Sequence, residues 1–487
     1  MSKYLKAISY NLIFFVINAL AFIILTPLAI RTMGDEFYGL WIIIFAIMQF
    51  TNIGTLGIGS VVNKFASEQD NPEFDVGNII SSALSIIMPM AILTAIVLLI
   101  VKNIIFGYLN ISTTYAEQFN LAITVCSISI IPQYLNKVFQ GYFLSQIMNK
   151  FVRSLDFVSS VFPWIGGIII AVFEKNLLWM SILNLVIQTG IAVIYSLILA
   201  RKIKKLTSPS YQTIKRMLSF SIFMFVESSA ITLFQQFDRI LVGFTQGPIL
   251  AGVYSVGTSI SLRLSSMTGQ ATEVMIPYAS LKDSSGDQVK LYSTFSSLSR
   301  YISFILAVIS SVAIIWMHEI LSVWISPEYA NQYAGAFKIL ILAYNLLSLS
   351  RSGHQTLTGM GKVKFTSLVY LFSSIFMLAN LFFLSKYFGL LGAASANLLM
   401  VLLLSFNLYV YKTLNKQIRL SNVIEDLGWG IFFPIFIYLL VSIFPFMSLL
   451  EKLMLTLIMS ISLFYILFRD KDIKNRLSLI SHSFQKV

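Results

Sequence analysis

Long apolar segments constrain the fold of this chain more than any other feature of its sequence. Apolar blocks of about 18–24 residues, such as 79–101 and 220–237, alternate with short polar segments. A helix rises about 1.5 Å per residue, so each block can cross a hydrocarbon layer about 30 Å thick. Only 11% of the residues are charged, whereas soluble domains carry about 25%. The sequence therefore predicts an all-α polytopic membrane protein.

The apolar blocks predict about fourteen transmembrane helices. These lie near residues 8–30, 38–61, 78–101, 118–141, 154–173, 177–200, 218–240, 250–275, 299–320, 336–357, 365–385, 389–411, 427–447 and 451–468. Cytoplasmic segments of membrane proteins collect Lys and Arg, which provides a test of the count. With a cytoplasmic N-terminus, most basic residues fall on inner segments, and the outer segments hold Arg31, Lys102, Lys175, Lys386 and Lys452. The alternation supports the count and predicts that both termini are cytoplasmic.

A repeated glycine pattern indicates an internal duplication. Gly34 and Gly39 precede an aromatic residue, and the same arrangement recurs 213 residues later (247 − 34) at Gly247 and Gly252. A chance match is the alternative, because membrane segments use a small set of residue types. An even number of helices per repeat gives both halves the same orientation, with a pseudo-twofold axis along the membrane normal.

The duplication predicts a division of the chain into three parts. We expect a first lobe at residues 1–206 with helices one to six, and a second lobe at 207–412 with helices seven to twelve. Residues 413–487 add helices thirteen and fourteen and a cytoplasmic tail.

Cations inside the apolar segments are candidates for ligand binding, because each costs about 2.5–3.5 kcal/mol at the bilayer centre. Lys137 and Arg351 are 214 residues apart (351 − 137), so the duplication places them at matching depths on helices four and ten. Arg263 lies deeper, on helix eight. The three cations predict an electropositive site for a phosphate, which Arg can bind in a bidentate manner and Lys as a point charge. The alternative for Lys137 and Arg351 is snorkelling to the inner headgroups.

Other polar residues in the helices have less certain roles. Glu227 lies at a similar level to Arg263, so it either forms a structural ion pair with Arg263 or binds a coupling proton or Na⁺. Asp238 is a second ion-coupling candidate, with a local surface pair to Arg239 as the alternative. Lys64, just inside helix two, either guards the cytoplasmic mouth of the cavity or anchors the helix. Amide stripes, which either line a wet cavity or join helices, include Gln133, Asn136, Gln140, Gln235 and Gln236.

Several chemistries lack the residues they need. His318, His354 and His482 have no metal-ligand spacing, so we expect no metal and no cofactor. The single cysteine, Cys126, excludes an intramolecular disulfide. No P-loop of the form G-x-x-x-x-G-K-[ST] is present. The net charge of +13 is explained by basic loops that orient membrane helices, not by nucleic-acid binding.

Three glycine-containing regions of the chain resemble Wzx-type O-antigen and polysaccharide flippases. They comprise residues 25–41 with 52–59, residues 237–243 with 252–255, and residues 359–362 with 388–394. The resemblance implies the superfamily that also contains the multidrug and toxin extrusion (MATE) transporters and the lipid II flippases. It implies two six-helix lobes that form a V-shaped cavity, open alternately to the cytoplasm and the periplasm. It also implies a cationic cavity for the diphosphate of an undecaprenyl-linked sugar.

The expected function is therefore transport and not enzymatic catalysis. We expect a flippase that moves an undecaprenyl-diphosphate-linked oligosaccharide, an O-antigen or other surface polysaccharide repeat unit, from the cytoplasmic to the periplasmic leaflet of a bacterial inner membrane. Lys137, Arg263 and Arg351 would hold the diphosphate. Expected partners are this lipid-linked glycan, membrane lipids, a polysaccharide polymerase and a chain-length regulator. The alternatives are a cation-coupled MATE-type drug exporter and a membrane-embedded glycan polymerase or acyltransferase, which needs a catalytic His or Asp/Glu set.

Overall fold

The chain folds into long helices. The computed structural model describes residues 3–67, 75–109, 111–146, 148–203, 207–273, 275–415, 420–445 and 447–469, and these contain helices and loops but no strand. The α-helices are α1 Lys3–Met33, α2 Asp35–Thr51, α3 Ile58–Ser67, α4 Val76–Tyr108, α5 Thr113–Ser145, α6 Asn149–Phe173, α7 Leu177–Lys202, α8 Tyr211–Thr232, α9 Asp238–Thr272, α10 Met275–Ser284, α11 Gln288–Trp324, α12 Pro327–Gly359, α13 Val363–Ala396, α14 Ser405–Asn415, α15 Leu420–Ile443 and α16 Leu449–Arg469.

The described residues contain a counterpart for every predicted membrane helix. Eleven of their segments are long and apolar enough to span a membrane. One of these, Val363–Leu414, has 52 residues, whereas a single crossing needs about 20, and it contains predicted helices eleven and twelve. The helices α8 and α16 correspond to predicted helices seven and fourteen. The prediction of an all-α protein with about fourteen membrane helices is confirmed.

Two glycines with the same unusual backbone conformation separate consecutive helices. Gly34 lies between α1 and α2 with φ 79° and ψ 164°, and Gly247 interrupts α9 with φ 83° and ψ 173°. This region of backbone space is available essentially to glycine alone. The two glycines are equivalent in the predicted repeat, so their matching geometry supports the duplication. Gly39 and Gly252, the second pair of equivalents, pack together, since a Cβ on Gly252 would lie 3.1 Å from the Cα of Gly39.

The described chain forms two compact units, residues 1–255 and 256–487. In the first unit α5 is central and packs against α3, α4 and α7, while α1 packs against α6. In the second unit α11 packs against α12, α15 and α16. The lobes at 1–206 and 207–412 remain a prediction from the repeat.

The last two membrane helices are attached to α11 by charged contacts. On α15, Asp426 is 1% exposed and accepts hydrogen bonds from Ser296 Oγ at 2.6 Å, Tyr411 Oη at 2.8 Å and Arg300 Nη2 at 3.0 Å. Arg300 also contacts the exposed Glu425 at 2.6 Å. Toward the other end of α11, an ion pair joins Glu319 to a lysine of α16. Helices thirteen and fourteen are therefore an integral part of the second unit.

Replacing Asp426 by Ala is expected to lower the free energy of unfolding by about 3 kcal/mol, because it removes one partner of a buried, hydrogen-bonded charge pair. The matched variant Glu425→Ala removes an exposed partner of the same Arg300 and is expected to cost at most about 1 kcal/mol. Unfolding of the purified variants by SDS in mixed micelles measures both changes. Equal losses would show that Asp426 does not attach α15 to α11.

Candidate functional site

Two adjoining chambers lie inside the first unit. The deep chamber has a volume of about 130 Å³ and is lined by Trp41, Ile44, Phe45, Met48, Gln49, Asn52, Cys126, Gln133, Asn136, Lys137, Gln140, Leu155, Asp156, Ser159, Ser160, Asn184, Gln188, Ile191 and Tyr195. The wide chamber, of about 450 Å³, is lined by Gln49, Asn52, Thr55, Gly57, Gly59, Ser60, Asn63, Lys137, Gln140, Gly141, Leu144, Thr232 and Gln236. Four polar residues border both chambers: Gln49, Asn52, Lys137 and Gln140.

A break in the second membrane helix forms one wall of the wide chamber. The helix α2 ends at Thr51, and the 3₁₀ turn Asn52–Thr55 follows. Leu56 and Gly57 then take positive φ values of 53° and 67° before α3 begins. Irregular backbone is tolerated at membrane depth where it is buried in protein or lines a water-filled cavity. The position of this break on the chamber wall therefore indicates a polar, hydrated space.

Glycines allow α3 to approach α5 closely along the same wall. A Cβ on Gly141 would clash with the carbonyl oxygen of Gly59, and a Cβ on Gly59 would lie 3.0 Å from the carbonyl oxygen of Lys137. Small residues at such crossings let membrane helices approach to backbone contact. Both glycines line the wide chamber, so this crossing positions Lys137 beside it.

Lys137 is the charged group at the junction of the two chambers. Its side chain is half-buried on α5, and it has no salt-bridge partner among the residues the structure describes. The carboxylate in the deep chamber, Asp156, pairs instead with Arg153 Nη1 at 2.9 Å. Asp156 also accepts hydrogen bonds from Gln140 Nε2 at 2.9 and 3.1 Å. Lys137 interacts electrostatically with Asp156 but forms no described salt bridge with it.

Amide side chains dominate the rest of the deep chamber. Asn136 is 8% exposed, and its Nδ2 donates to the backbone oxygen of Gln188 at 3.0 Å and to Gln188 Oε1 at 3.1 Å. Gln188 Nε2 donates to Ser159 Oγ at 2.9 Å. This network fixes one side of the chamber, between α5, α6 and α7.

The other two predicted cations both belong to the second unit. Arg351 on α12 donates from Nε to Ser265 Oγ at 3.2 Å, and Ser265 belongs to α9. Arg263 lies two residues earlier on α9, and its Nη1 donates to the backbone oxygen of Ser259 at 3.0 Å. The structure therefore brings Arg351 to the helix that carries Arg263, and it places Lys137 in the first unit. A shared site for all three remains a prediction.

The remaining predicted residues are placed as follows. Lys64 is exposed, borders neither chamber, and has its Nζ 4.1 Å from the centroid of the Phe220 ring, a cation–π distance. Asp238 is fully buried and accepts hydrogen bonds from Tyr254 Oη at 3.0 Å and from the backbone N of Arg239 at 2.8 Å. Asp238 and Arg239 are therefore not a surface pair. The side chain of Glu227 lies outside the described residues.

Sequence reasoning missed five of the amide residues in the chamber walls, one of which is Asn63 in the wide chamber. Gln49 and Asn52 come from the second membrane helix, and Asn184 and Gln188 come from the sixth. Each pair has helical spacing of three or four residues within an apolar segment, which places both amides on one helix face. This spacing could have identified the two pairs from the sequence, because the predicted amide stripe on helix four has the same helical spacing.

The chain is similar to transporters of known families. Residues 4–281 match the family described as "Polysaccharide biosynthesis protein". A relative from Shigella flexneri with the name "Putative O-antigen transporter" is 24% identical over 370 residues, which cover 75% of this chain and 87% of that protein.

Solved structures share its fold. The structure "Lipid II flippase MurJ, inward closed conformation" has a TM-score of 0.70 at 13% identity and covers 95% of this chain and 99% of its own. The structure of an inward-facing MATE family transporter of the MOP superfamily has a TM-score of 0.65 at 12% identity. The match covers 81% of this chain and 95% of that transporter. The predicted MATE-like fold is confirmed.

Replacing Gly141 by Ala is expected to destabilise the protein by about 1–3 kcal/mol, because the added methyl group forces α5 away from the backbone of α3. The control Gly190→Ala places a methyl group on α7 where nothing lies within 4 Å, so it is expected to be neutral or stabilising. Thermal unfolding of the purified proteins in detergent measures the difference. If Gly141→Ala unfolds at the same temperature as Gly190→Ala, the crossing is looser than described.

Proposed function

The chain belongs to the polysaccharide biosynthesis protein family, and on that basis we propose that it is a flippase for an undecaprenyl-diphosphate-linked oligosaccharide. The glycan headgroup moves from the cytoplasmic to the periplasmic leaflet of a bacterial inner membrane by alternating access, while the lipid tail stays in the bilayer. The observation that carries the proposal is Lys137, a cation that forms no described salt bridge and lies at the junction of two polar chambers inside a membrane-helix unit.

The chemistry of this junction suits a diphosphate. A lysine ammonium donates charge-assisted hydrogen bonds to phosphate oxygens, each worth about 1.5–3 kcal/mol. A cation at membrane depth raises the free energy of the folded protein. The negative charge of a bound diphosphate offsets that cost. The amides of Gln49, Asn52 and Gln140, which border both chambers, supply further uncharged donors.

Arg263 and Arg351, in the second unit, are further proposed phosphate-binding residues. Their position on α9 and α12 provides two guanidinium groups that can bind phosphate in a bidentate manner. In this proposal the 1–206 and 207–412 lobes rock as rigid bodies and present the headgroup first to one side of the membrane and then to the other. Asp238 and Glu227 are the proposed groups for coupling to an ion gradient, and Lys64 is proposed for the cytoplasmic entrance.

The chambers do not favour the rival functions. An exporter of cationic drugs needs an acidic cavity, but the carboxylate that lines the described chambers, Asp156, is paired with Arg153. A glycan polymerase or acyltransferase needs a catalytic acid or histidine, and the described lining contains no histidine. We propose that a polysaccharide polymerase and a chain-length regulator act on the delivered glycan as separate proteins.

Replacing Lys137 by Met is expected to reduce flipping at least tenfold, because it removes the charge that binds the diphosphate and keeps a side chain of similar length. Lys102→Met is the matched control, since Lys102 lies on α4, bonds Thr124 at 3.0 Å and lines neither described chamber. Each variant is expressed in a deletion strain, and the lipid-linked glycan of each leaflet is quantified. Accumulation in the inner leaflet with Lys137→Met alone supports the proposal, and normal surface glycan with that variant contradicts it.

Replacing Arg263 by Ala is expected to abolish transport while protein abundance stays near normal. Its control is Arg201→Ala, which removes an exposed guanidinium at the end of α7. Abundance is measured by quantitative immunoblotting of membranes, and transport by the same leaflet assay. Normal flipping by Arg263→Ala would remove this residue from the proposed site.

A further inference from the structure

We infer that the deep chamber is a subsite for one sugar ring, which lies next to the phosphate held at Lys137. The inference rests on the proposed function and adds the chemical class that the chamber selects: a monosaccharide with hydroxyl or acetamido groups that donate hydrogen bonds. Four kinds of observation support it, namely the neutrality of the lining, its unsatisfied polar atoms, its aromatic walls and its position.

The lining is polar but nearly uncharged apart from Lys137. It contains the seven amide side chains of Gln49, Asn52, Gln133, Asn136, Gln140, Asn184 and Gln188. An amide both donates and accepts hydrogen bonds, as a sugar hydroxyl does. Asp156 is paired with Arg153, and Lys137 repels cations, so the chamber lacks the negative charge that a bound Na⁺ or a cationic drug requires.

Several buried polar atoms of the chamber residues are unsatisfied within the described chain. Asn52 Oδ1, Gln133 Oε1 and Asn136 Oδ1 accept no hydrogen bond there, and Trp41 Nε1 donates none. Each such buried group costs about 1–3 kcal/mol. Water or a ligand that carries donors would satisfy the three acceptors, and a bare phosphate ion at neutral pH has few donors. Sugar hydroxyls and acetamido N–H groups provide donors, and the same hydroxyls can accept from Trp41.

The chamber also presents apolar ring surface and a suitable volume. Trp41, Phe45 and Tyr195 line it, and ring faces of this kind can cover the C–H face of a pyranose while amides bind its edge. This combination of aromatic surface with a few placed polar groups is typical of small-molecule sites. A volume of about 130 Å³ is close to that of a cavity that holds one benzene ring, about 150 Å³, so the chamber takes one six-membered ring and not an oligosaccharide.

The position of the chamber connects it to the proposed phosphate. Lys137 and Gln140 border both chambers. Gln133 lies one helical turn before Lys137 on α5, and it lines the deep chamber but not the wide chamber. Residues 133 and 137 are separated by about 6 Å along the helix axis. A sugar attached to a phosphate at Lys137 is therefore within reach of Gln133.

The test uses purified full-length protein in lipid nanodiscs and calorimetric titration with inorganic phosphate and with the 1-phosphates of N-acetylglucosamine, galactose and mannose. Wild-type protein is expected to bind at least one sugar phosphate tenfold or more tightly than phosphate. Gln133→Leu and Asn184→Leu, which remove chamber amides without changing Lys137, are expected to abolish this difference and to keep the affinity for phosphate. The matched control Gln212→Leu, at an exposed position on α8, is expected to keep both affinities.

The possible results separate the inference from the proposed function. Equal affinity for phosphate and all three sugar phosphates, or a sugar preference that survives both chamber variants, would overturn the sugar subsite. Na⁺ binding that Gln133→Leu removes would overturn it in favour of a cation site. Failure of the proposed function has a different signature, because phosphate affinity would then be unchanged in Lys137→Met. If one chamber variant fails to fold, as judged by its thermal unfolding, the other decides.

Discussion

Backbone hydrogen bonding inside hydrocarbon is the constraint on which the rest of this structure depends. Lipid offers no partners for N–H and C=O groups, so a chain that crosses it repeatedly must be helical. Wherever a helix breaks, protein or water must satisfy the freed groups. The interruption between Thr51 and Ile58 meets this requirement beside the wide chamber, so the feature that disturbs the helix also marks the hydrated space.

A second constraint follows from the cost of charge at membrane depth. The structure handles its charges in two ways. Asp426 accepts hydrogen bonds from donors on α11 and α14, and these bonds attach α15 to both helices. Lys137 has no described salt-bridge partner and borders both chambers. Fixed protein contacts offset the cost of burying Asp426. For Lys137, the same cost is the reason for proposing a bound anion.

The sequence predicted the helices well because apolar length and basic loops are local signals. The predicted repeat is supported by Gly34 and Gly247, which share a backbone conformation that few residues can adopt. It did not single out Asp426, because a carboxylate near a helix end looks solvated until Arg300 and Tyr411 are known to surround it. It found Lys137 but only part of its chamber, since the walls come from helices far apart in the chain. Whether Arg263 and Arg351 share a ligand with Lys137 depends on tertiary placement that no local pattern encodes.

The contact between Gly59 and Gly141 has a consequence for how ligand preference can diversify. On that side the wide chamber is walled by bare main chain, whose carbonyl and amide groups are the same in every protein. Any larger side chain there narrows the crossing before it can contribute new chemistry. Adaptation to a different ligand is therefore expected away from this crossing, at positions such as Gln133 and Asn184 of the deep chamber.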